Sequence, residues 1–172
     1  MPIERLIVGT SGCRISKIVD EGKLIGIRID EDGTGDLGYI LQKFNWSELL
    51  GDIDWRIVTP FRRLVFNTLL ENVPMGWLMT YGELALEMGS PGSARAVGSA
   101  LSSNPWPLVV PCHRVVRGDG HIGPYSAGSG MITKRSLLME EGLEIDSEFR
   151  FNQKNLTKIA REAREAIIQT NM

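Results

Sequence analysis

The stretch NPWPLVVPCHRVV, residues 104–116, constrains the fold of this chain more than any other. Its three prolines fix φ and remove three backbone donors, so the stretch cannot form an ordinary helix. We expect a stiff, extended segment that delivers Cys112 to a fixed place. A thiol is a strong nucleophile only as the thiolate, and neighbours such as His113 and Arg114 favour that form. A Cys–His pair alone is more often structural, so its meaning depends on the rest of the chain.

The charge distribution neither requires nor excludes a nucleic-acid partner. The 172 residues have a net charge of -2 and suit one domain or two small ones. Residues 1–59 carry seven Lys/Arg against ten Asp/Glu, residues 60–143 seven against six, and residues 144–172 five against five. The acidic surplus therefore lies in the N-terminal third, which leaves room for a basic face elsewhere.

The cysteines and histidines do not form a metal-binding pattern. Cys13 and Cys112 are far apart, and His113 and His121 lack zinc-ligand spacing, so we expect neither a metal nor a disulfide. Two lone cysteines suit a reducing cytoplasm, and Cys13 is expected to be a small buried residue or a strand-end residue. No signal-peptide pattern or membrane-length apolar run is present, so we expect a cytoplasmic protein without a membrane partner.

Residues 1–59 read as a small β-meander covered by a helix. Strands are predicted over residues 6–8, 14–19 and 23–29, with a hairpin turn at residues 20–22. Asp36 is a candidate N-cap for an amphipathic helix with Leu37, Ile40, Leu41 and Phe44 on one face. The acidic loop at residues 30–36 lacks the spacing and closing glutamate of a calcium site, so we expect it to be solvated.

The middle of the chain changes to helices with clear start signals. Thr59 and Pro60 predict a helix that stops before Pro74. Its apolar face is expected to contain Phe61, Leu64, Val65, Thr68 and Leu69. Thr80 and Glu83 form a capping box for a short helix that ends near Gly89.

A second short helix, capped by Ser93, is predicted from Ala94 to about Leu101. Two helices joined by a tight Gly/Pro turn outline a helix-turn-helix. The second helix carries little side-chain bulk apart from Arg95, Val97 and Leu101. Close helix packing explains that slimness as well as a nucleic-acid role does, although a slim helix bearing one arginine suits insertion into a DNA groove.

The C-terminal part contains two more predicted helices. The first runs from Met131 to Glu141, ends at Gly142 and has Leu137 and Leu138 inward. The second lies in an extension over residues 144–172. Its apolar face is expected to contain Leu156, Ile159, Ala163 and Ile167, with Asn152 as a candidate cap.

Together these motifs resemble one family, the O6-alkylguanine-DNA alkyltransferases. The matching motifs are VP-x-G at 73–76, TYGELA at 80–85, ARAVG at 94–98, NP at 104–105, PCHRVV at 111–116, G-x-YS at 123–126, Lys134, and LL-x-x-EG at 137–142. The ordered set is far more specific than a Cys–His pair. The loop AGSG at residues 127–130 and Leu101 depart from the family's usual pattern.

The resemblance implies an α/β (α+β) fold in three parts. Residues 1–59 would form an RNase H-like antiparallel β-meander with a helix. Residues 60–143 would form a mostly helical catalytic domain with a helix-turn-helix of winged-helix-like type, and residues 144–172 a helical extension. The implied function is DNA repair by irreversible transfer of an alkyl group from guanine O6, with O4-alkylthymine as a further candidate substrate.

The resemblance also implies roles for particular residues in catalysis. Cys112 would accept the alkyl group, His113 would act as its base through water, Glu141 would orient His113, and Asn104 would brace the active-site turn. No cofactor or metal would be needed, because the lesion is itself the alkyl donor.

A further set of roles concerns DNA. The implied partner is double-stranded DNA containing O6-alkylguanine, bound by a monomer through the minor groove. Arg95 would enter the base stack, and Tyr81 would push on the target phosphate and contact the flipped base. The implied DNA-contacting residues of the second helix are Ala94, Ala96, Gly98 and Ser99. The implied pocket residues are Tyr81, Leu101, Pro107, Val115, Tyr125 and Ser126.

Three other functions compete with this one. A protein that binds alkyl lesions without catalysis would have no use for Cys112, His113 and Glu141. A cysteine hydrolase would use the same three residues but leave Tyr81 and Arg95 without a role. A helix-turn-helix regulator would bind one DNA sequence and would not need Cys112.

Overall fold

The computed structural model describes residues 1–157 and position 169. Its first part is an antiparallel sheet of three strands, β1 (Ile3–Thr10), β2 (Cys13–Asp20) and β3 (Lys23–Glu31), in the order β1-β2-β3. Glu21 and Gly22 both have positive φ, as a two-residue hairpin turn requires. The predicted meander is therefore confirmed, with longer strands than the sequence pattern indicated.

Helix α1 (Leu37–Lys43) covers this sheet and begins where it was predicted. The Asp36 carboxylate accepts a hydrogen bond from the Tyr39 amide at 2.9 Å. Leu37 and Ile40 are buried. Two 3-10 turns, Trp46–Asp52 and Trp55–Ile57, then lead to the second half of the chain.

Helix α2 (Pro60–Asn72) starts as predicted, because the Thr59 hydroxyl accepts a hydrogen bond from the Arg62 amide. The predicted apolar face was partly wrong, since Phe61 and Leu64 are 36% and 46% exposed. The buried stripe contains Val65, Phe66, Thr68 and Leu69. It is centred on Phe66 because the Trp106 ring packs edge-on against that side chain, with centroids 6.1 Å apart.

Helices α3 (Tyr81–Glu87) and α4 (Ala94–Ser102) pack against each other across a tight turn. Both hydrogen bonds of the Thr80–Glu83 capping box are formed, which confirms that helix start. Ser93 occupies the N-cap position of α4, but its hydroxyl donates to the Ser90 carbonyl instead of capping the helix. The side-chain cap predicted for Ser93 was therefore wrong.

The proline-rich stretch forms a compact turn, so the prediction of an extended segment was wrong. The Val110 amide donates to the Trp106 carbonyl at 2.8 Å, and Leu108 has a φ of 73°. The side-chain amide of Asn104 closes the turn. Its oxygen accepts a hydrogen bond from the Trp106 backbone amide, and its nitrogen donates to the Val110 carbonyl, both at 2.9 Å. The prolines exclude a helix, but the Asn104 side chain bends the chain back on itself.

After the turn, the chain forms a 3-10 helix (Cys112–Arg114) and strand β5 (Val115–Val116). Strand β5 pairs in parallel with β4 (Met79–Thr80), which directly precedes α3. Trp106 is fully buried and its indole donates to the Leu24 carbonyl at 3.0 Å. The N-terminal sheet and the turn before Cys112 are thereby tied together.

Helix α5 (Met131–Glu140) has Glu141 at its C-cap and Leu137 and Leu138 buried, as predicted. Residues 144–157 follow as a return segment. Leu156 forms a β-bridge with Leu78 instead of entering a helix, and Asn152 caps a 3-10 turn, Gln153–Asn155. The remaining residues of the predicted last helix, Ile159, Ala163 and Ile167, lie outside the described residues.

The described part of the chain is thus a mixed fold with a three-stranded antiparallel sheet and five α-helices. Its RNase H-like and winged-helix-like character and its exact domain bounds stay predictions. Within the part that the structure describes, no helix has the length and apolarity needed to cross a membrane.

Candidate active site

Cys112 lines a cavity of about 450 Å³, and only 7% of the residue is exposed. The Cys112 amide donates to the Val110 carbonyl at 2.8 Å, which anchors the start of the 3-10 helix. The cavity is lined by Tyr81, Ala94, Arg95, Gly98, Leu101, Ser102, Cys112, Pro124, Tyr125 and Ser126. Three separate parts of the chain, α3–α4, the cysteine turn and the loop after β5, therefore meet at one thiol.

His113 and Glu141 are brought together across 28 positions of the sequence. His113 Nε2 lies 2.6 Å from Glu141 Oε1, and both side chains are almost fully buried. The Gly76 amide donates to Glu141 Oε2 at 3.0 Å, and Arg114 Nε lies 3.1 and 3.0 Å from the two oxygens. Glu141 is thereby held in one orientation from three sides.

The position of Arg114 two residues after Cys112 suggested that it acts on the thiol. In the structure its side chain contacts other groups. Its guanidinium contacts Glu141 and donates to the Val73 carbonyl at 3.1 Å. Burial alone would raise the pKa of Glu141, but the hydrogen bonds and charges of His113 and Arg114 lower it to about 2. Glu141 is therefore a carboxylate at neutral pH.

The protonation of His113 follows from this arrangement. Burial lowers its pKa below the usual 6.5, although Glu141 opposes the shift, so the ring is neutral at pH 7. A carboxylate facing Nε2 holds the proton on that nitrogen, which leaves Nδ1 as the basic atom. Nδ1 is buried and has no hydrogen-bond partner among the described residues. The imidazole can therefore accept a proton at Nδ1.

Burial and the neighbouring groups shift the pKa of the Cys112 thiol in opposite directions. Burial raises its pKa, whereas a hydrogen bond from the Asn104 side chain and the nearby Lys134 charge lower it. Because burial prevails, the thiol is protonated at rest. A reaction that uses its thiolate therefore needs a base, and His113 is the neighbouring residue whose protonation suits that task.

Lys134 is a site residue to which the sequence pattern assigned no role. Its ammonium donates to the Val115 carbonyl at 2.7 Å and the Pro124 carbonyl at 3.2 Å, and the residue is 1% exposed. Burial lowers its pKa to about 7. The sequence did contain a signal, because Lys134 stands three and four positions before Leu137 and Leu138 on the inward face of α5.

Residues of α3 and α4 line part of the cavity. Arg95, Ala96 and Ser99 are exposed on the outer side of α4. Gly98 lies against the Tyr81 ring, and a Cβ added there would make an ordinary van der Waals contact with the ring at 3.9 Å. Burial raises the pKa of Tyr81 to about 12, which keeps its phenol protonated.

The predicted pocket residues divide into two groups. Tyr81, Leu101, Tyr125 and Ser126 line the cavity. Pro107 and Val115 are buried and are not among the residues of the described chain that line it. The Val115 carbonyl accepts a hydrogen bond from Lys134, and Pro107 forms a β-bridge with Val110.

No group of three or more His, Cys, Asp or Glu side chains in the described part of the chain is arranged to hold a metal ion. Fold and site together define a class of protein: a cysteine protein whose thiol, beside a buried His–Glu pair, faces a cavity at a two-helix unit. The chemistry available at this site is nucleophilic attack by sulfur on a group held in the cavity.

Comparison with known proteins identifies the family. Residues 60–143 match the family model of the 6-O-methylguanine DNA methyltransferase DNA-binding domain. The rat methylated-DNA–protein-cysteine methyltransferase is 49% identical over 83 residues, which are 48% of this chain and 39% of that protein. The matched stretches of the chain span about half or less of the length of such curated relatives.

Solved structures extend the similarity over most of the chain. The O6-methylguanine-DNA methyltransferase of Pyrococcus kodakaraensis KOD1 has a TM-score of 0.65 and 31% identity, covering 83% of this chain and 99% of that one. The Mycobacterium tuberculosis OGT in complex with DNA has a TM-score of 0.61 and 29% identity, covering 80% and 91%. The chain belongs to the O6-methylguanine-DNA methyltransferase family.

Proposed function

We propose that the protein repairs DNA by transferring the alkyl group of an O6-alkylguanine to Cys112. The observation that carries the proposal is the position of the thiol, which lines the same cavity as the slim helix α4. The methyltransferase names of the relatives and the DNA complex of one structural neighbour support the same substrate.

The reaction balances without a cofactor. His113 takes the thiol proton at Nδ1, through a water molecule, and Glu141 stabilises the imidazolium that forms. The thiolate attacks the alkyl carbon, the carbon–O6 bond breaks, and its electron pair stays on the guanine. The guanine takes up one proton, so the thiol proton is in effect replaced by the alkyl group. Asn104 braces the turn that holds Cys112.

Each molecule would react once, because a thioether sulfur is a very poor leaving group. The resting thiol is protonated, which also limits its side reactions with oxidants and electrophiles. The two free cysteines suit a reducing cytoplasm, where we place the protein as a monomer.

DNA would bind along α3 and α4, with α4 in the minor groove. Ala94, Ala96, Gly98 and Ser99 present little bulk to the duplex, and Arg95 projects from the exposed side of the helix. We assign Arg95 to the gap left by the flipped nucleotide and Tyr81 to the flipped base and its phosphate. Extruding an alkylated guanine costs less than extruding a well-paired base.

The two main parts of the chain would have different roles. Residues 60–143 would carry the chemistry and the DNA contact, and residues 1–59 would support the turn before Cys112 through the bond between Trp106 and Leu24. The lesion-binding alternative without catalysis is not favoured, since Cys112 is present, His113 contacts Glu141, and the curated relatives are methyltransferases.

Mass spectrometry tests the proposal. The protein is incubated with a duplex carrying one O6-methylguanine, and its intact mass and modified peptide are determined. We expect a gain of one methyl group on Cys112 that stops at one equivalent. Lesion binding without a mass change would favour the binding-only alternative, and loss of the lesion with an unchanged protein mass would mean turnover and a different mechanism.

A further inference from the structure

The last residue of β3, Glu31, reaches from the N-terminal sheet to the segment that walls the cavity. The Ser129 hydroxyl donates to the Glu31 carbonyl at 2.7 Å. The Thr133 hydroxyl donates to the Glu31 carboxylate, and Thr133 is completely buried. Two residues near one end of the cavity wall are thus held by a residue about 100 positions earlier in the sequence.

The wall segment, residues 124–130, contains no α-helix or β-strand, so its position depends on individual contacts. At its first end, Lys134 donates to the Pro124 carbonyl. At its second end, the Ser129 amide donates to the Thr133 hydroxyl at 2.8 Å. A Cβ at Gly128 would lie 2.6 Å from the Thr133 hydroxyl, so the backbone sits directly on that side chain.

Glu31 also places a carboxylate near the N-terminus of helix α5. The first turn of α5 has no acidic residue, and Gly130 at the N-cap provides no side-chain hydrogen bond. A carboxylate near a helix N-terminus is favourable because it balances the positive end of the helix dipole. The Glu31 carboxylate, bonded to Thr133 in that first turn, therefore stabilises the start of α5 and the end of the wall segment together.

We propose that Glu31 is a positioning residue that holds the cavity wall in place and thereby restricts the size of the alkyl group that the protein accepts. This inference rests on the proposed alkyl transfer. Tyr125 and Ser126 line the cavity and lie between the two anchored ends of the segment. A wall held at both ends cannot retreat from a bulky group, whereas a methyl group needs no such movement.

The test compares two substrates in one variant. Single-turnover rates are measured for Glu31→Ala with duplexes that carry either O6-methylguanine or O6-benzylguanine. We expect the benzyl-to-methyl rate ratio to rise at least about threefold, with the methyl rate changed by less than about twofold. Thr133→Val removes the hydroxyl that contacts both Glu31 and Ser129 at nearly constant volume, and it should also raise the ratio.

Two further variants separate positioning from general damage. Glu31→Gln keeps an oxygen that accepts from Thr133, so it should restore most of the wild-type ratio. Asp30→Ala removes the neighbouring exposed carboxylate of the same strand and should leave the ratio unchanged. An unchanged ratio in Glu31→Ala, or an equal loss of both rates, would overturn the inference.

Hydrogen exchange provides a readout that does not depend on alkyl transfer. Amides of residues 125–130 should exchange faster in Glu31→Ala than in Asp30→Ala, while β1 and β2 keep their protection. Unchanged exchange in this segment would refute the positioning role. If the wild-type protein transferred neither alkyl group, the proposed function would fail, and the exchange result would still decide what Glu31 does.

Discussion

The two cysteines of this protein are both buried, yet their surroundings differ in charge. Cys13, at the start of β2, is 1% exposed, and Cys112 is 7% exposed. Burial raises the pKa of both thiols. Around Cys13 the carboxylates Glu31, Asp32 and Asp30 raise it further, to about 11. Around Cys112 the Asn104 side chain and Lys134 oppose the effect of burial.

Burial by itself therefore does not separate a structural cysteine from a reactive one. The difference lies in the neighbours, because negative charges disfavour a thiolate whereas a cation and a hydrogen-bond donor favour it. Cys112 also has a neutral histidine beside it in the sequence and a cavity in front of it. Cys13 also borders a cavity, but it lies among carboxylates and has no histidine next to it in the sequence. The same side chain is therefore inert at one place and a candidate nucleophile at the other.

The largest expected effect separates the two cysteines directly. Cys112→Ala should reduce transfer from O6-methylguanine DNA to background, because no other thiol faces the cavity among the described residues. Cys13→Ala should leave the single-turnover rate within about twofold, since that thiol is not among the residues that line the cavity. Transfer retained by Cys112→Ala would refute the assignment of the acceptor.

The second prediction concerns the His–Glu pair, which Cys13 lacks. Glu141→Gln should lower the transfer rate by about 10²-fold or more, because the imidazolium loses its negative partner and the proton position on the ring is no longer fixed. Glu140→Gln, one position earlier and exposed, is the matched control and should retain the wild-type rate. Equal rates in the two variants would show that Glu141 is not needed by His113.

The third prediction uses pH. Because burial lowers the pKa of His113 below 6.5, the imidazole stays neutral down to that pH. The transfer rate should therefore be insensitive to His113 protonation from pH 8 to pH 6.5 and should fall only in more acidic solution. The pH profile of single-turnover rates, with circular dichroism to check folding, tests this, and a loss of rate centred at or above pH 6.5 would contradict it.

The free energy of unfolding should also decrease as the pH falls. A histidine whose pKa is lower in the folded state contributes stability that is present above the unfolded pKa of about 6.5 and is lost as pH falls through the folded pKa. Glu141 acts likewise in stronger acid, since its pKa of about 2 lies below that of an ordinary glutamate.

The smallest expected effect lies at Cys13. With a pKa of about 11, its labelling by iodoacetamide in Cys112→Ala should be very slow at pH 8 and rise about tenfold per pH unit. Asp30→Asn should speed the labelling slightly, because one of the carboxylates that disfavour the thiolate is removed. Rapid labelling of Cys13 at pH 8 would remove the contrast between the two thiols.

Much of the local structure was predictable from short sequence patterns. The caps at Asp36 and Thr59, the Thr80–Glu83 box and the turn after β2 all appear where they were predicted. These signals involve four consecutive residues or fewer, so they can be recognised without knowledge of the tertiary structure. The proline-rich stretch was predicted less well, because prolines exclude a helix but do not state which way the chain turns.

The roles of the site residues came from the family resemblance, and their positions came from the fold. The Cys112–His113 pair is visible in the sequence, whereas its contact with Glu141 spans 28 positions. No local pattern indicated that Arg114 would bind Glu141 instead of the thiol. The burial of Lys134 did have a local signal, its spacing from Leu137 and Leu138, but its contact with the Val115 carbonyl did not.

The sequence by itself determined the helix starts, the hairpin, the absence of a helix before Cys112 and the ordered motifs of the family. Only the tertiary structure decided which cysteine has cationic neighbours, which tautomer His113 adopts, and how Glu31 holds the cavity wall. Capping and φ restriction are properties of a few adjacent residues, so the sequence displays them. Burial and electrostatic environment depend on residues far apart in the chain, so they exist only once the chain has folded.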